Sequence, residues 1–313
     1  MDAALTLTDF PDRISPMVVK ELRQGLRTRL FVGVLWMLHL TLVLLTLISG
    51  SAQNNAEAQG WFDGIITLVL CLILPMRGFS AMADELKSGT LDMLVLTRLS
   101  AGRIVFGKWA SIVSQSLLIA LSILPYVVAR YVFGGLDLFG EIAVLFYKWL
   151  GGAVAAAAII AVSTQRLFWV RALIVGLPVL IGGFGMFSFM MISGIGGMAG
   201  GSMMASAITE LTSASTFFMI LGAGIWLVFF FLSLGATRHA PAASLLPVVK
   251  RGVHFGVFAL VLLAAVVFKI NAVVVAAAAV LWLVMMDALT EHVNDVPSVY
   301  AAFYRRGWVG RTL

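Results

Sequence analysis

The sequence predicts an all-α fold, a polytopic transmembrane bundle of about eight spans behind an N-terminal amphipathic helix, with both termini cytoplasmic. Three observations predict it. First, 61% of the 313 residues are hydrophobic and 12% charged, with a mean hydropathy of +1.03. Soluble domains carry about 25% charged residues, and a globule in water must cover its surface with polar groups. Second, the apolar runs are long and continuous and do not alternate with period two, which selects helices over a lipid-embedded barrel. Third, the basic residues fall almost entirely on one side of an eight-span arrangement.

A hydrocarbon core of about 30 Å needs roughly 20 apolar residues per helix. Eight segments qualify: 30–48, 61–82, 104–128, 141–162, 172–191, 216–234, 253–268 and 271–286. The last two are short and joined around Lys269. They read as a C-terminal hairpin (253–286), since short spans are accommodated by thinning and snorkelling. The organisation is then a tail with an amphipathic helix (1–29), a membrane domain (30–288) and a second tail (289–313).

Arg13, Lys20, Arg23, Arg27 and Arg29 precede the first span, and Arg77, Lys87, Arg98, Arg103 and Lys108 cluster between the second and third. Arg166, Arg171, Arg238, Lys250, Arg251, Arg305, Arg306 and Arg311 fall on the same side, against Arg130 and Lys269 on the other. Basic loops stay cytoplasmic, so this side is the inside. The net charge of +6 is thus a topology signal that suits lipid headgroups. Nucleic-acid binding is excluded as a reading because no soluble domain is left to carry it. The first residues include Asp2, Asp9 and Asp12, which does not fit a cleavable leader. One cysteine, Cys71, allows no disulfide within the chain. Trp61, Trp149, Trp226 and Tyr131 are placed at or near span ends, as in an aromatic belt.

Residues 15–29 form the first informative segment. Ser15 and Pro16 open a helix. Val18, Leu22 and Leu26 then recur on one face, with Lys20, Arg23 and Arg27 largely on others, giving a basic helix at the inner interface. The second is 83–103, the long polar stretch after span two. Asp84, Glu85 and Lys87 form a charged cluster, and Ser88-Gly89-Thr90 breaks the chain. Leu91, Met93, Leu94 and Leu96 give a short amphipathic helix whose apolar face needs a cover. The protein's own helix ends, the lipid surface or a soluble partner would each serve.

The run Glu85-Leu86-Lys87-Ser88-Gly89-Thr90-Leu91-Asp92-Met93-Leu94, followed by Thr97-Arg98-Leu99-Ser100, resembles the cytoplasmic motif of ABC-2 type transporter permeases. Gly107-Lys108, Pro125 and Gly134-Gly135 are also similar, and Val19-Lys20-Glu21-Leu22-Arg23 looks like that family's elbow helix. Arg98 stands where proline is usual, Leu86-Lys87 where a basic–acidic pair is common, and eight spans exceed the usual six.

The resemblance implies a non-enzymatic membrane subunit of an ATP-binding cassette exporter in an inner membrane, paired with itself or a second permease. Asp84, Glu85, Gly89, Thr90, Leu91, Met93, Leu94, Thr97 and Arg98 would form a coupling helix docked on a separate ATPase subunit. Lys20, Glu21, Leu22, Arg23 and Arg27 would form the elbow. ATP and Mg would be bound by that partner, since no G-x-x-x-x-G-K-[ST] occurs here. This chain is expected to hold no cofactor or metal itself.

Ionisable residues inside spans are functional candidates. His39, in span one, suits a path-lining role, a dimer contact or a hydrogen bond to a neighbouring helix. Lys148, in span four, either snorkels outward or pairs with Glu141. Arg77 reads as an interfacial anchor. Segment 182–201, rich in glycine and methionine, fits a re-entrant element or a plain outer loop, and the alanines at 153–158 and 276–279 suit close helix packing. Three other classes compete with the permease. An ion-coupled transporter or channel usually keeps several charges near the midplane. An intramembrane metalloprotease needs H-E-x-x-H, whereas His39, His239, His254 and His292 are scattered. A non-transporting scaffold is the third.

Overall fold

The computed structural model describes residues 16–51, 55–81, 101–134, 137–164, 214–237 and 246–268, with 280, 281 and 284. Among these every regular element is helical. The helices are α1 (Pro16–Leu26), α2 (Arg29–Ser51), α3 (Asn55–Leu68), α4 (Leu74–Met76), α5 (Gly78–Ala81), α6 (Ala101–Gly134), α7 (Leu138–Ser163), α8 (Ala214–Thr237) and α9 (Leu246–Phe268). A π-helical turn, Val69–Ile73, joins α3 to α4. Among the described residues, five helices are long and apolar enough to cross a membrane, and a shorter apolar helical stretch covers Gly60–Met76. The expected spans at 172–191 and 271–286, the segment 182–201 and both chain termini lie outside the described residues.

Observed boundaries differ from expectation where polar residues extend a helix. The third span's helix starts at Ala101, so Ala101–Arg103 belong to α6 and not to the preceding polar segment. The helix expected from 253 starts at Leu246 and takes in Lys250 and Arg251, because the hydrogen-bonded ladder continues where hydropathy falls. α9 lies in a second compact unit, residues 237–313, where Lys250 and His254, one helical turn apart, are both buried.

In the first unit, α2, α3, α6 and α7 share one core. Phe31, Leu38 and Leu42 line one face of α2, while Phe62, Ile66, Val69, Leu70 and Leu74 come from the following segment. Ile119, Ile123 and Val127, at spacings of four, supply the α6 face, and Leu145 comes from α7. This is the 3.6-residue period read out as packing. The opposite face of α2 exposes Trp36, Met37, Leu40, Leu44 and Leu47, with Trp36 74% exposed. An apolar stripe of that size suits lipid rather than water.

α6 and α7 are cross-tied reciprocally. The Trp109 indole N–H donates to the Ala153 carbonyl at 2.9 Å, and that of Trp149 to the Val113 carbonyl at 3.5 Å. Trp149 is therefore not a belt residue: it sits in the middle of α7 with its polar tip spent on α6. Trp226 likewise lies mid-helix, against Phe230 of its own α8. Ala153, Ala156, Ala157 and Ala161 are buried, which lets α7 approach its neighbours closely. α8 lies along α7, with Phe217 5.5 Å from Phe146 and Gly224 against Leu150.

Two caps set the helix entries. Asp137 accepts hydrogen bonds from Phe139 N and Gly140 N at 3.2 and 3.1 Å at the start of α7. Thr28 Oγ1 accepts from Phe31 N at 3.4 Å at the start of α2, and its hydroxyl also donates to the Gly25 carbonyl at 2.7 Å.

Candidate functional site

A polar node forms where α1 crosses the beginning of α6. α1 is amphipathic: Lys20, Arg23 and Gln24 are exposed, while Val18, Val19 and Leu22 are half-buried and Gly25 is buried. Glu21 faces α6, and its carboxylate lies 3.4 Å from Nζ of the buried Lys108. One turn further on, a Cβ at position 25 would collide with the side-chain amide of Gln115. Glycine there lets α1 lie directly on α6.

Arg77 completes the node from the end of the second apolar segment. Its Nη1 donates to Gln115 Oε1 and its Nη2 to the Gly25 carbonyl at 3.3 Å. Gln115 Nε2 in turn donates to Ser111 Oγ at 3.1 Å. The Gly25 carbonyl belongs to the last turn of α1, where main-chain oxygens lack intrahelical donors and the helix dipole is negative. A guanidinium is well suited to that place, since its planar fork serves two acceptors at once. Arg77 is thus a helix-to-helix connector as well as an end-of-span residue.

A second charged cluster lies at the far end of the same bundle. Lys148 Nζ is 2.6 Å from Asp63 Oδ1, and it also donates to the Asp63 carbonyl at 3.4 Å. Arg130 Nη1 is 3.5 Å from Glu141 Oε2, and its guanidinium carbon sits 4.1 Å over the Phe62 ring. The expected alternatives for Lys148 were snorkelling or pairing with Glu141. Neither occurs: Glu141 is taken by Arg130, and Lys148, two turns further along α7, reaches α3. Asp63 lies roughly 12 Å along its helix from the start of α3, and Lys148 roughly 15 Å from the start of α7. The Asp63–Lys148 pair is therefore embedded, Arg130 and Glu141 lie within about a turn of the ends of α6 and α7, and both pairs are compensated.

His39 donates from Nδ1 to the Leu35 carbonyl of its own helix, 2.8 Å away. Its ring meets the edge of Tyr126 on α6, centroids 5.6 Å apart. The structure thus places His39 at an α2–α6 contact. Arg27 is exposed in the turn after α1. The residues expected to form a coupling helix, Asp84, Glu85, Gly89, Thr90, Leu91, Met93, Leu94, Thr97 and Arg98, lie outside the described residues. Their flanks do not: α5 ends at Ala81 and α6 begins at Ala101, so the polar node sits at the root of that segment.

Sequence reading named Glu21 and Lys108 separately, as parts of two motifs, and did not join them. It missed Gln115 and Asp63 as partners. The one available signal was chemical: a glutamine in the early part of an apolar span needs a polar neighbour. Among the described residues no group of three or more His, Cys, Asp or Glu is placed to hold a metal ion. No known family model matches the chain, and no curated protein matches it.

Proposed function

We propose that this chain is the membrane-spanning permease subunit of an ATP-binding cassette transporter, an exporter energised by a separate ATPase subunit. The observation that carries the reading is the polar node. The segment between α5 and α6 holds the Gly89-Thr90-Leu91 motif, and both of its roots are bonded to α1, through Arg77 and through Lys108. A push on that segment would reach α1 and α6 together and rock them as rigid elements.

In this reading the spans number about eight and both termini face the cytoplasm of a bacterial-type inner membrane. The one-sided distribution of lysine and arginine supports that orientation. Two permease chains, identical or different, would pair, and the partner ATPase would bind ATP and Mg. Copurification tests the proposal. A soluble Walker-motif ATPase should accompany the chain, and Leu91→Glu with Leu94→Glu should abolish that association without preventing membrane insertion. Association that survives both changes would count against the coupling helix.

One observation favours a second reading, an ion-coupled transporter or channel. Asp63 and Lys148 put two opposite charges well inside their helices, and Arg130 and Glu141 pair nearer the helix ends. Pairwise compensation favours a structural role, so the permease reading stands first. Uptake or release by the purified chain driven by an ion gradient without nucleotide would reverse the order.

A further inference from the structure

We infer that the second apolar segment contains a π-to-α switch, seated on Gly152 of α7, that changes the rotation of its two halves. The hydrogen-bond accounting starts at Leu74. Its N–H goes five residues back, to the Val69 carbonyl. The next residue is Pro75, which has no N–H. Leu70's carbonyl therefore lacks a main-chain donor five residues on, and the donor four residues on is already engaged with Val69.

That carbonyl turns instead toward α7. A Cβ at Gly152 would run into the Leu70 oxygen and stand 3.1 Å from its carbonyl carbon. Beside it, Cys71 Sγ donates to the Lys148 carbonyl at 3.3 Å, and a Cβ at Gly151 would lie 3.7 Å from that sulfur. One turn of α7, from Lys148 to Gly152, thus templates the π-turn. Only a residue without a side chain leaves room for the displaced carbonyl.

The turn also lies between two clamps. The half before it carries Phe62 and Asp63, held by Arg130 and Lys148. The half after it leads to Arg77, held by Gln115 and Gly25. A π-turn takes up one residue more than an α-turn. Conversion to α-helix therefore rotates one half against the other by about 100° and shifts it by about 1.5 Å. With both halves clamped, conversion releases one clamp. The clamp through Arg77 is the one made by neutral acceptors, so it yields first and loosens the Gly25 end of α1, while Glu21 stays paired with Lys108. This holds whatever energises the protein, and does not rest on the permease reading.

The test is a double-mutant cycle on the full-length chain in detergent, with the single native thiol as a second reporter. Pro75→Ala removes the ring that would clash with the Cys71 carbonyl in an α-helix, and so favours the α form. Gly152→Ala blocks the Leu70 carbonyl and disfavours the π form, lowering the thermal unfolding midpoint by several degrees. In the double variant the Leu70 carbonyl has moved, so Pro75→Ala recovers at least half of that loss. Pro75→Ala alone should change the rate of Cys71 labelling by a small maleimide severalfold, because the sulfur leaves the Lys148 carbonyl. The inference is overturned if Gly152→Ala is as stable as the parent, if the two losses add, or if labelling is unchanged. If Gly152→Ala yields no folded protein, the comparison is made on yield, and a double variant no better than the single overturns it.

Discussion

Lys148 and Asp63 are joined at 2.6 Å across α7 and α3, each well inside its helix and 85 residues from the other in sequence. The pairing explains why α7 tolerates a lysine in its apolar stretch. In a low-dielectric setting an unpaired ammonium is costly, whereas a paired one can be neutral in effect.

The first prediction concerns that pair. Lys148→Met alone strands the Asp63 carboxylate and should destabilise the fold by about 3–5 kcal/mol. Adding Asp63→Asn should recover most of the loss. Thermal unfolding of the two single variants and the double variant measures the coupling, and losses that simply add would mean the pair contributes nothing.

Arg77 should be intolerant of lysine. A single ammonium cannot serve Gln115 and the Gly25 carbonyl with the same fork geometry. Arg77→Lys should loosen α1 while leaving the core intact. Limited trypsin digestion checks this, since Lys20, Arg23 and Arg27 all lie on or just after α1. Faster cleavage there, with unchanged cleavage elsewhere, is the expected pattern.

His39→Phe separates a packing role from a transport role. The aromatic contact with Tyr126 is kept, and the lost hydrogen bond went only to the Leu35 carbonyl within α2. Stability should change by less than about 1 kcal/mol. Lost transport at unchanged stability would identify His39 as lining the path.

Asp137 caps α7 through two main-chain N–H groups, so Asp137→Ala should cost about 1 kcal/mol. Asp137→Asn should cost less, because the amide oxygen can still accept. Equal losses for both would point to the charge near the helix N-terminus as the dominant effect.

The helices at 29–51, 101–134 and 138–163 were legible in the sequence because each is a long apolar run between polar breaks, and hydrophobicity is a local property. The amphipathic α1 was legible for the same reason, from the spacing of Val18, Leu22 and Leu26. The partners of Lys148, Arg77 and Lys108 were not. Nothing local to Lys148 distinguishes Glu141, about two turns back on the same face of the same helix, from Asp63 on another. The midspan position of Trp149 was hidden too, since an indole suits a membrane interface and a buried hydrogen bond equally well.

By itself the sequence determined that this chain is helical, too apolar for water, and asymmetric in charge, because those properties add up residue by residue along the chain. Only the tertiary structure decided which charge answers which, and that Gly25 and Gly152 are the places where backbones meet. Such choices depend on how helices distant in sequence rotate and slide against one another. A one-residue change in that register moves every side chain by about 100° around its helix and exchanges every partner.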